Sequence, residues 1–143
     1  MYRYEWKYGN KDFDTCRAIR TAVFVEEQGF EKEFDEIDPI AWHVVIWDGT
    51  QAVATGRIFP NKNGSYTIGR VAVRKNYRGT GAGSIVIQTL ESKARELCVP
   101  SIHLSAQLQA VGFYQKMGYH PEGTEYLDEF CPHISMVKIL AEK

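Results

Sequence analysis

The sequence lacks the features that define several large classes of protein. No apolar run approaches the roughly 18 residues that a membrane-spanning helix needs. The first ten residues, MYRYEWKYGN, contain no apolar segment like that of a secretory signal. The formal net charge is −1, whereas proteins that coat nucleic acid usually carry a strong basic excess. We therefore expect a cytoplasmic protein that binds neither a membrane nor nucleic acid.

Cysteine is scarce, and its spacing matches no known site. Cys16, Cys98 and Cys131 lie far apart, they are odd in number, and no CxxC pair occurs. Zinc sites and disulfide frameworks both depend on recurring cysteine spacings. We therefore predict no metal site and no disulfide, and we interpret these thiols as small side chains in a reducing compartment.

The composition is that of an ordinary globular domain. Hydrophobic residues make up 44% and charged residues 24% of the 143 positions, close to the average for folded proteins. No repeat, low-complexity tract or linker interrupts the chain. This length suffices to bury one core, so we predict a single domain over residues 1–143.

The first half of the sequence predicts a helix followed by antiparallel strands. Apolar residues at helical spacing from Phe13 to Phe24 indicate a helix that ends near Gly29. The acidic segment EQGFEKEFDEID, residues 27–38, then predicts an irregular loop. Residues 41–47, 51–59 and 66–73 are β-rich and separated by turn signals, so they predict two successive hairpins.

The second half alternates strands and helices. A helix is predicted from Gly83, a strand over residues 101–106 and a short helix over 109–118; residues 133–140 form a final strand, with another candidate at 119–125. Strands joined through a crossover helix lie parallel, with a right-handed connection. The predicted fold is therefore α/β (α+β), with a mixed sheet, an antiparallel N-terminal meander and flanking helices.

The segment RGTGAG, residues 78–83, lies between a predicted strand and a predicted helix. Amide groups at a helix N-terminus bind anions, and glycine lets an anion approach the backbone closely. Arg74 and Lys75 add positive charge nearby. A nucleotide P-loop needs a lysine after its last glycine, and a Rossmann turn needs GxGxxG; neither pattern is present. A nucleotide phosphoryl-transfer enzyme is therefore disfavoured.

Two motifs carry a resemblance to a known family. RGTGAG fits the pattern (Arg/Gln)-x-x-Gly-x-(Gly/Ala) without a gap. QLQAVGFYQKMGY, residues 107–119, follows N-x-x-A-x-x-(L/F)-Y-x-K-x-G-(F/Y), with Gln107 in place of the usual asparagine. On these motifs the sequence resembles the GNAT superfamily of acyl-CoA-dependent N-acetyltransferases over most of its length. The segments IRTAVFVEEQGF, DPIAWH and PHISM are similar to its small ElaA-like branch.

The resemblance implies acetyl-CoA as co-substrate. Its pyrophosphate would lie on residues 78–83, and its pantetheine arm would lie along the preceding strand, where strands 66–73 and 101–106 diverge in a V-shaped split. Phe113, rather than Tyr114, is the better candidate for the core. The implied cofactor-binding residues are Val71, Ala72, Val73, Arg78, Gly79, Thr80, Gly81, Ala82, Gly83, Ser84, Gln107, Ala110, Phe113 and Tyr114.

Acyl transfer from a thioester to an amine makes three chemical demands. A base must take a proton, because a lysine-type amine has a pKa near 10.4. The oxyanion needs hydrogen-bond donors, which the resemblance assigns to the backbone of residues 71–73. The leaving thiolate needs a proton or a hydrogen bond, and Tyr114 matches the family tyrosine in this role.

The base is left open, because the strand YTIGRVAV has no carboxylate to match the glutamate of some GNAT enzymes. The candidates are Glu26, Glu27, Asp38, His43 and His133; of these, Glu27, His43 and His133 join Tyr114 as predicted catalytic residues. Each candidate also has a structural interpretation, as a solvated helix end or a hydrogen-bonded core histidine. Arg70 is either an ion-pair partner or a contact for the acetyl acceptor. The acidic loop, if it lines the acceptor groove, favours a cation.

We therefore predict an N-acetyltransferase that moves an acetyl group from acetyl-CoA to a primary amine. The amine would belong to a small molecule or a peptide, and it would attack directly within a ternary complex. We expect a monomer or a homodimer without a metal. The alternative is a non-catalytic acyl-CoA-binding or regulatory domain.

Overall fold

A seven-stranded mixed sheet organises the chain. The computed structural model describes residues 2–140. Their strands, in chain order, are β1 (Tyr2–Tyr8), β2 (Trp42–Asp48), β3 (Gln51–Pro60), β4 (Tyr66–Val73), β5 (Ser101–Gln107), β6 (His120–Asp128) and β7 (Cys131–Ile139). The helices are α1 (Asp14–Arg20), which continues as the π-helix Thr21–Glu27, α2 (Ala82–Glu96) and α3 (Val111–Lys116).

The sheet consists of two antiparallel halves joined by one short parallel contact. The strand order is β1-β2-β3-β4-β5-β7-β6. Strands β4 and β5 pair only at Tyr66 with Ile102 and Thr67 with His103, and then they diverge. The predicted mixed fold, with its meander and its split parallel strands, is therefore confirmed.

Helices cover both faces of the meander, which explains the continuous apolar runs of its strands. Val44 and Ile46 pack with α2 in one buried cluster, whereas Val45, between them, packs with α1 in another. Successive side chains on a strand point to opposite faces. A strand that is covered on both faces is therefore apolar at successive positions, instead of alternating between apolar and polar residues.

The structure extends the predicted elements at two places. Residues 2–8, for which no strand was predicted, form β1 and pair with β2 along its whole length. Their alternation of aromatic and charged side chains suits an exposed edge strand. Strand β6 reaches Asp128, three residues beyond the predicted 119–125, through an irregularity between Glu122 and Tyr126. Within residues 2–140, no helix has both the length and the apolar character that crossing a membrane requires.

The packing of α2 on β3 leaves no room for a side chain at Gly56. A Cβ atom there would lie 2.7 Å from Val86 Cγ1 and 2.9 Å from Leu90 Cδ1. We predict that Gly56→Ala lowers the free energy of unfolding by about 1–3 kcal/mol, the usual cost of overpacking. Urea unfolding measures the change. Gly69→Ala is the matched control, since a Cβ there meets nothing within 4 Å; equal losses in both variants would contradict the packing argument.

Candidate active site

The divergence of β4 and β5 opens a cleft of about 400 Å³. Val71 of β4 lines one wall, and Leu104 and Ala106 of β5 line the other. Gln107 and Ala110, which follow β5, continue that wall. The cleft therefore brings together residues of β4 and of the second predicted motif, at the carboxyl ends of strands where open sheets commonly bind ligands.

The glycine loop leads directly into α2. Gly79 and Gly81 have φ angles of +80° and +89°, a region that favours glycine. A Cβ at either position would meet nothing within 4 Å, so backbone conformation rather than crowding calls for glycine. The first N–H with a helical acceptor is that of Ile85, bonded to the Gly81 carbonyl at 3.1 Å. The amides at the start of α2 are thus available to an anion.

Arg78, the basic residue of this loop, is held by two partners. Its Nη1 and Nη2 donate to the Glu27 carboxylate at 2.5 and 2.7 Å, and its Nε donates to the Val73 carbonyl at 3.1 Å. Hydrogen bonding from Arg78 lowers the pKa of Glu27. Glu27 and Glu26 line a second, separate cavity of about 730 Å³. The structure therefore brings Glu27 to the glycine loop and not to the cleft.

Tyr114 of α3 lines the cleft and also packs against the core. Burial raises the pKa of its phenol to about 12, so the group stays protonated at neutral pH. The expectation that Phe113 is the better core residue is wrong, because Phe113 is exposed and Tyr114 is half-buried. The Phe113 ring instead lies 3.6 Å from a Cβ built on Gly83, beside the start of α2.

His133 is the predicted base candidate that the structure places in the cleft. Its side chain is 6% exposed and lies near the rings of Phe30 and Tyr126. Its Nδ1 lies 2.9 Å from the Cys131 carbonyl oxygen. A carbonyl oxygen only accepts hydrogen bonds, so Nδ1 carries the proton and Nε2 of the neutral ring keeps its lone pair. In this tautomer His133 presents Nε2 as a hydrogen-bond acceptor.

The other two base candidates lie outside the cleft. His43 is 1% exposed on β2, its Nε2 is 3.1 Å from the Asp38 carbonyl, and burial lowers its pKa. Strand β3 separates β2 from β4, so His43 lines neither cavity described above. Asp38 binds Arg20 and Arg57. Both residues are buried in the structure and line neither cavity.

Sequence reasoning missed a cluster of six buried or half-buried charges beside the cleft. Its members are three arginines and three carboxylates of the acidic loop: Arg20, Arg57, Arg70, Glu33, Asp35 and Asp38. Because the arginines neutralise these carboxylates, Glu33, Asp35 and Asp38 do not supply the negative charge that the acidic loop was expected to offer to a cationic acceptor. The signal was present, since arginines inside apolar segments such as TGRIF and IGRVAV need buried partners.

The family assignment follows from residues 12–140, which match the family described as the acetyltransferase (GNAT) domain. The chain belongs to the GNAT acetyltransferase family. This GNAT acetyltransferase is 38% identical to the uncharacterized N-acetyltransferase YjcF of Bacillus subtilis over 123 residues, which cover 84% of this chain and 87% of YjcF. The family and the named relative identify the chain as an N-acetyltransferase.

Solved structures support the same assignment. Escherichia coli ElaA has a TM-score of 0.85 at 27% identity, covering 96% of this GNAT acetyltransferase and 99% of ElaA. An acyl-CoA N-acyltransferase from Pseudomonas aeruginosa has a TM-score of 0.86 at 26% identity, with the same coverage. The resemblance to the ElaA-like branch is therefore confirmed.

The charge cluster makes the stability of the folded state depend on pH in the acidic range. Burial alone would raise the pKa of Asp35, but hydrogen bonds and charge from Arg57, with a further contribution from Arg70, lower it to about 2. A carboxyl with a depressed pKa stabilises the folded state above its unfolded pKa of about 3.9, and this stabilisation disappears as the pH falls toward about 2.

We predict that Asp35→Asn lowers the free energy of unfolding by about 2 kcal/mol at neutral pH. The difference from wild type should shrink as the pH falls from about 4 to about 2. Urea unfolding over a pH series measures both quantities. Glu36→Gln, an exposed neighbour in the same loop, is the control; a deficit for Asp35→Asn that is independent of pH would refute the assignment.

Proposed function

We propose that the protein transfers an acetyl group from acetyl-CoA to the primary amine of a small-molecule or peptide acceptor, by direct attack in a ternary complex. One observation carries the proposal: Tyr114 and His133 line the same cleft, whose β4 wall leads to the anion-binding glycine loop. A proton donor and a proton acceptor thus lie together where the thioester would enter.

The glycine loop and the open edge of β4 would hold the donor. The pyrophosphate fits the free amides at the start of α2. Beyond Thr67, β4 has no pairing with β5, so its edge can accept an extended chain such as the pantetheine arm. The names of the family and of the P. aeruginosa structure support an acyl-CoA donor, and acetyl as the group transferred.

His133 would act as the base. The amine nitrogen attacks the thioester carbonyl, a C–N bond forms, and the nitrogen's proton passes to His133 Nε2, directly or through a water. The bulge of β4 between Gly69 and Ala72 leaves backbone groups outside the ladder. Its amides are suited to stabilising the oxyanion before the C–S bond breaks.

Tyr114 would stabilise the leaving thiolate by donating a hydrogen bond. A thiol has a pKa of about 8.5, whereas the pKa of Tyr114 is about 12. Complete proton transfer to the thiolate would therefore be uphill by about 5 kcal/mol. A hydrogen bond to a charged group stabilises it by about 1.5–3 kcal/mol without that cost.

We predict that Tyr114→Phe lowers kcat about 10- to 100-fold, the loss of one hydrogen bond to a charged atom. The dissociation constant of CoA should change by less than about twofold, because the ring and its packing remain. Thiol release from acetyl-CoA and calorimetry measure the two quantities. The control is Tyr4→Phe, at an exposed position of β1. An unchanged kcat would show that Tyr114 has no catalytic role.

A second pair of variants distinguishes the base candidates. We predict that His133→Gln lowers kcat about 10²- to 10⁴-fold, the usual contribution of a general base. Glu27→Gln should leave kcat within about twofold of wild type and alter only acetyl-CoA binding, since Glu27 contacts Arg78 and exposed ion pairs contribute little. Steady-state kinetics decide the matter, and the reverse ranking would assign the base to Glu27.

A further inference from the structure

Arginines and carboxylates from different halves of the sheet line the cleft. Arg57 and Arg70 come from β3 and β4, whereas Asp128 ends β6 and Glu129 lies in the turn that follows it. A simple cationic amine would meet attraction at one wall and repulsion at the other. An acceptor that carries both charges could place each against its opposite.

The charge cluster presents its positive side to the cleft. In total, its three arginines and three carboxylates balance. Among the described residues that line the cleft, however, the cluster contributes Arg57, Arg70 and Glu33, whereas Asp35 and Asp38 do not line it. Arg57 Nε is buried without a hydrogen-bond partner in residues 2–140. This wall therefore presents two guanidinium groups and one carboxylate, and one buried guanidinium N–H has no acceptor among the described residues.

Arg70 offers the most accessible donor on this wall. Its Nε donates to the Glu33 carbonyl at 3.1 Å and its Nη2 donates to Asp35 at 3.2 Å. Within residues 2–140, its Nη1 makes no hydrogen bond, and it is not among the solvent-inaccessible polar atoms. Burial, with the nearby charges of Arg57 and Arg20, lowers the pKa of Arg70 despite Glu33. An anion at Nη1 would stabilise the charged form of this guanidinium.

The backbone of Arg70 is strained at the point where this side chain leaves β4. Its φ angle is +48°, within the bulge where β4 departs from regular pairing with β3. A non-glycine residue in the left-handed region costs on the order of 1 kcal/mol, and such strain concentrates at functional sites. The same bulge of β4 whose amides are suited to stabilising the oxyanion therefore also positions Arg70 at the cleft.

Lys32 provides a second cation at the cleft. Its backbone N–H donates to the Glu129 carboxylate at 3.0 Å, which ties this part of the acidic loop to the β6–β7 turn. Its side chain is exposed and has no ion-pair partner among the described residues. The loop thus holds a free ammonium group at the edge of the cleft.

We propose that the acetyl acceptor is a small amine that also carries a carboxylate, as amino acids do, and that Arg70 Nη1 and Lys32 Nζ bind this carboxylate while the amine lies beside His133. The proposal rests on the proposed function and names its substrate class. The carboxylate takes no part in the chemistry. The amine forms the C–N bond, its proton goes to His133, and CoA leaves as the thiolate.

The test uses the full chain with acetyl-CoA and sets of related amines that differ only in the anionic group. One set is lysine, lysine amide and 1,5-diaminopentane; another is histidine, histidine amide and histamine; phosphoethanolamine is the phosphate arm. We expect kcat/KM to be at least about tenfold higher for an amino acid than for its amide or its decarboxylated counterpart, the value of one charged hydrogen bond.

The variants assign that preference to the proposed residues. Arg70→Gln should reduce the ratio of kcat/KM for amino acid over amide about tenfold, and Lys32→Gln about two- to fivefold. Lys32 is exposed, so its variant remains informative if Arg70→Gln fails to fold. Lys62→Gln, an exposed position outside the cleft, should leave the ratio unchanged.

The outcomes separate this proposal from the function beneath it. Rapid acetylation of diamines or amides with no preference for the carboxylate would overturn the substrate class and leave the N-acetyltransferase activity standing. Preference for phosphoethanolamine would assign the site to phosphate instead. An unchanged ratio in both Arg70→Gln and Lys32→Gln would move the carboxylate site elsewhere. No thiol release with any amine, despite CoA binding, would overturn both proposals.

Discussion

Within residues 2–140, only two residue pairs, Tyr66 with Ile102 and Thr67 with His103, join the two halves of the sheet through their strands. Beyond this contact, β4 and β5 diverge, and other interactions must hold the halves at a fixed separation. Glu91 of α2 accepts hydrogen bonds from Tyr119 and Lys138 of the second half, while a Gln107–Gln28 bond and the Glu129 carboxylate tie that half to the acidic loop. The cleft exists because the strands separate. It keeps its shape because these hydrogen bonds connect the two halves of the protein.

The charge cluster has a different role from these hydrogen bonds. Buried ion pairs often add little net stability, because desolvation offsets their attraction, but removing one partner is costly. In this protein they fix the acidic loop beneath β3 and β4 and hold Arg70 at the bulge. The same cluster explains why so acidic a loop does not make the cleft acidic: Arg20, Arg57 and Arg70 neutralise the carboxylates of Glu33, Asp35 and Asp38.

Features that depend on local spacing were predictable from the sequence, and features that depend on distant contacts were not. The glycine spacing of RGTGAG determines the backbone conformation of the loop, so the sequence alone predicts a turn immediately before α2. His43 and His133 look alike in sequence, each in an apolar strand. Only the strand order places His43 inside the meander and His133 in the cleft. The charge cluster contains residues from position 20 to position 70, and no local sequence pattern indicates which of them form pairs. Tyr114 shows the same limit, since helical periodicity does not say which face meets the cleft.

The proposed mechanism requires that the cleft between β4 and β5 hold the thioester of acetyl-CoA against Tyr114 and His133. A crystal structure of the protein with CoA bound tests this requirement. We expect the pyrophosphate on the amides of residues 79–84, the pantetheine arm along β4, and the sulfur within hydrogen-bonding distance of the Tyr114 hydroxyl. CoA bound in the cavity beside Glu26 and Glu27, with its sulfur remote from Tyr114, would contradict it.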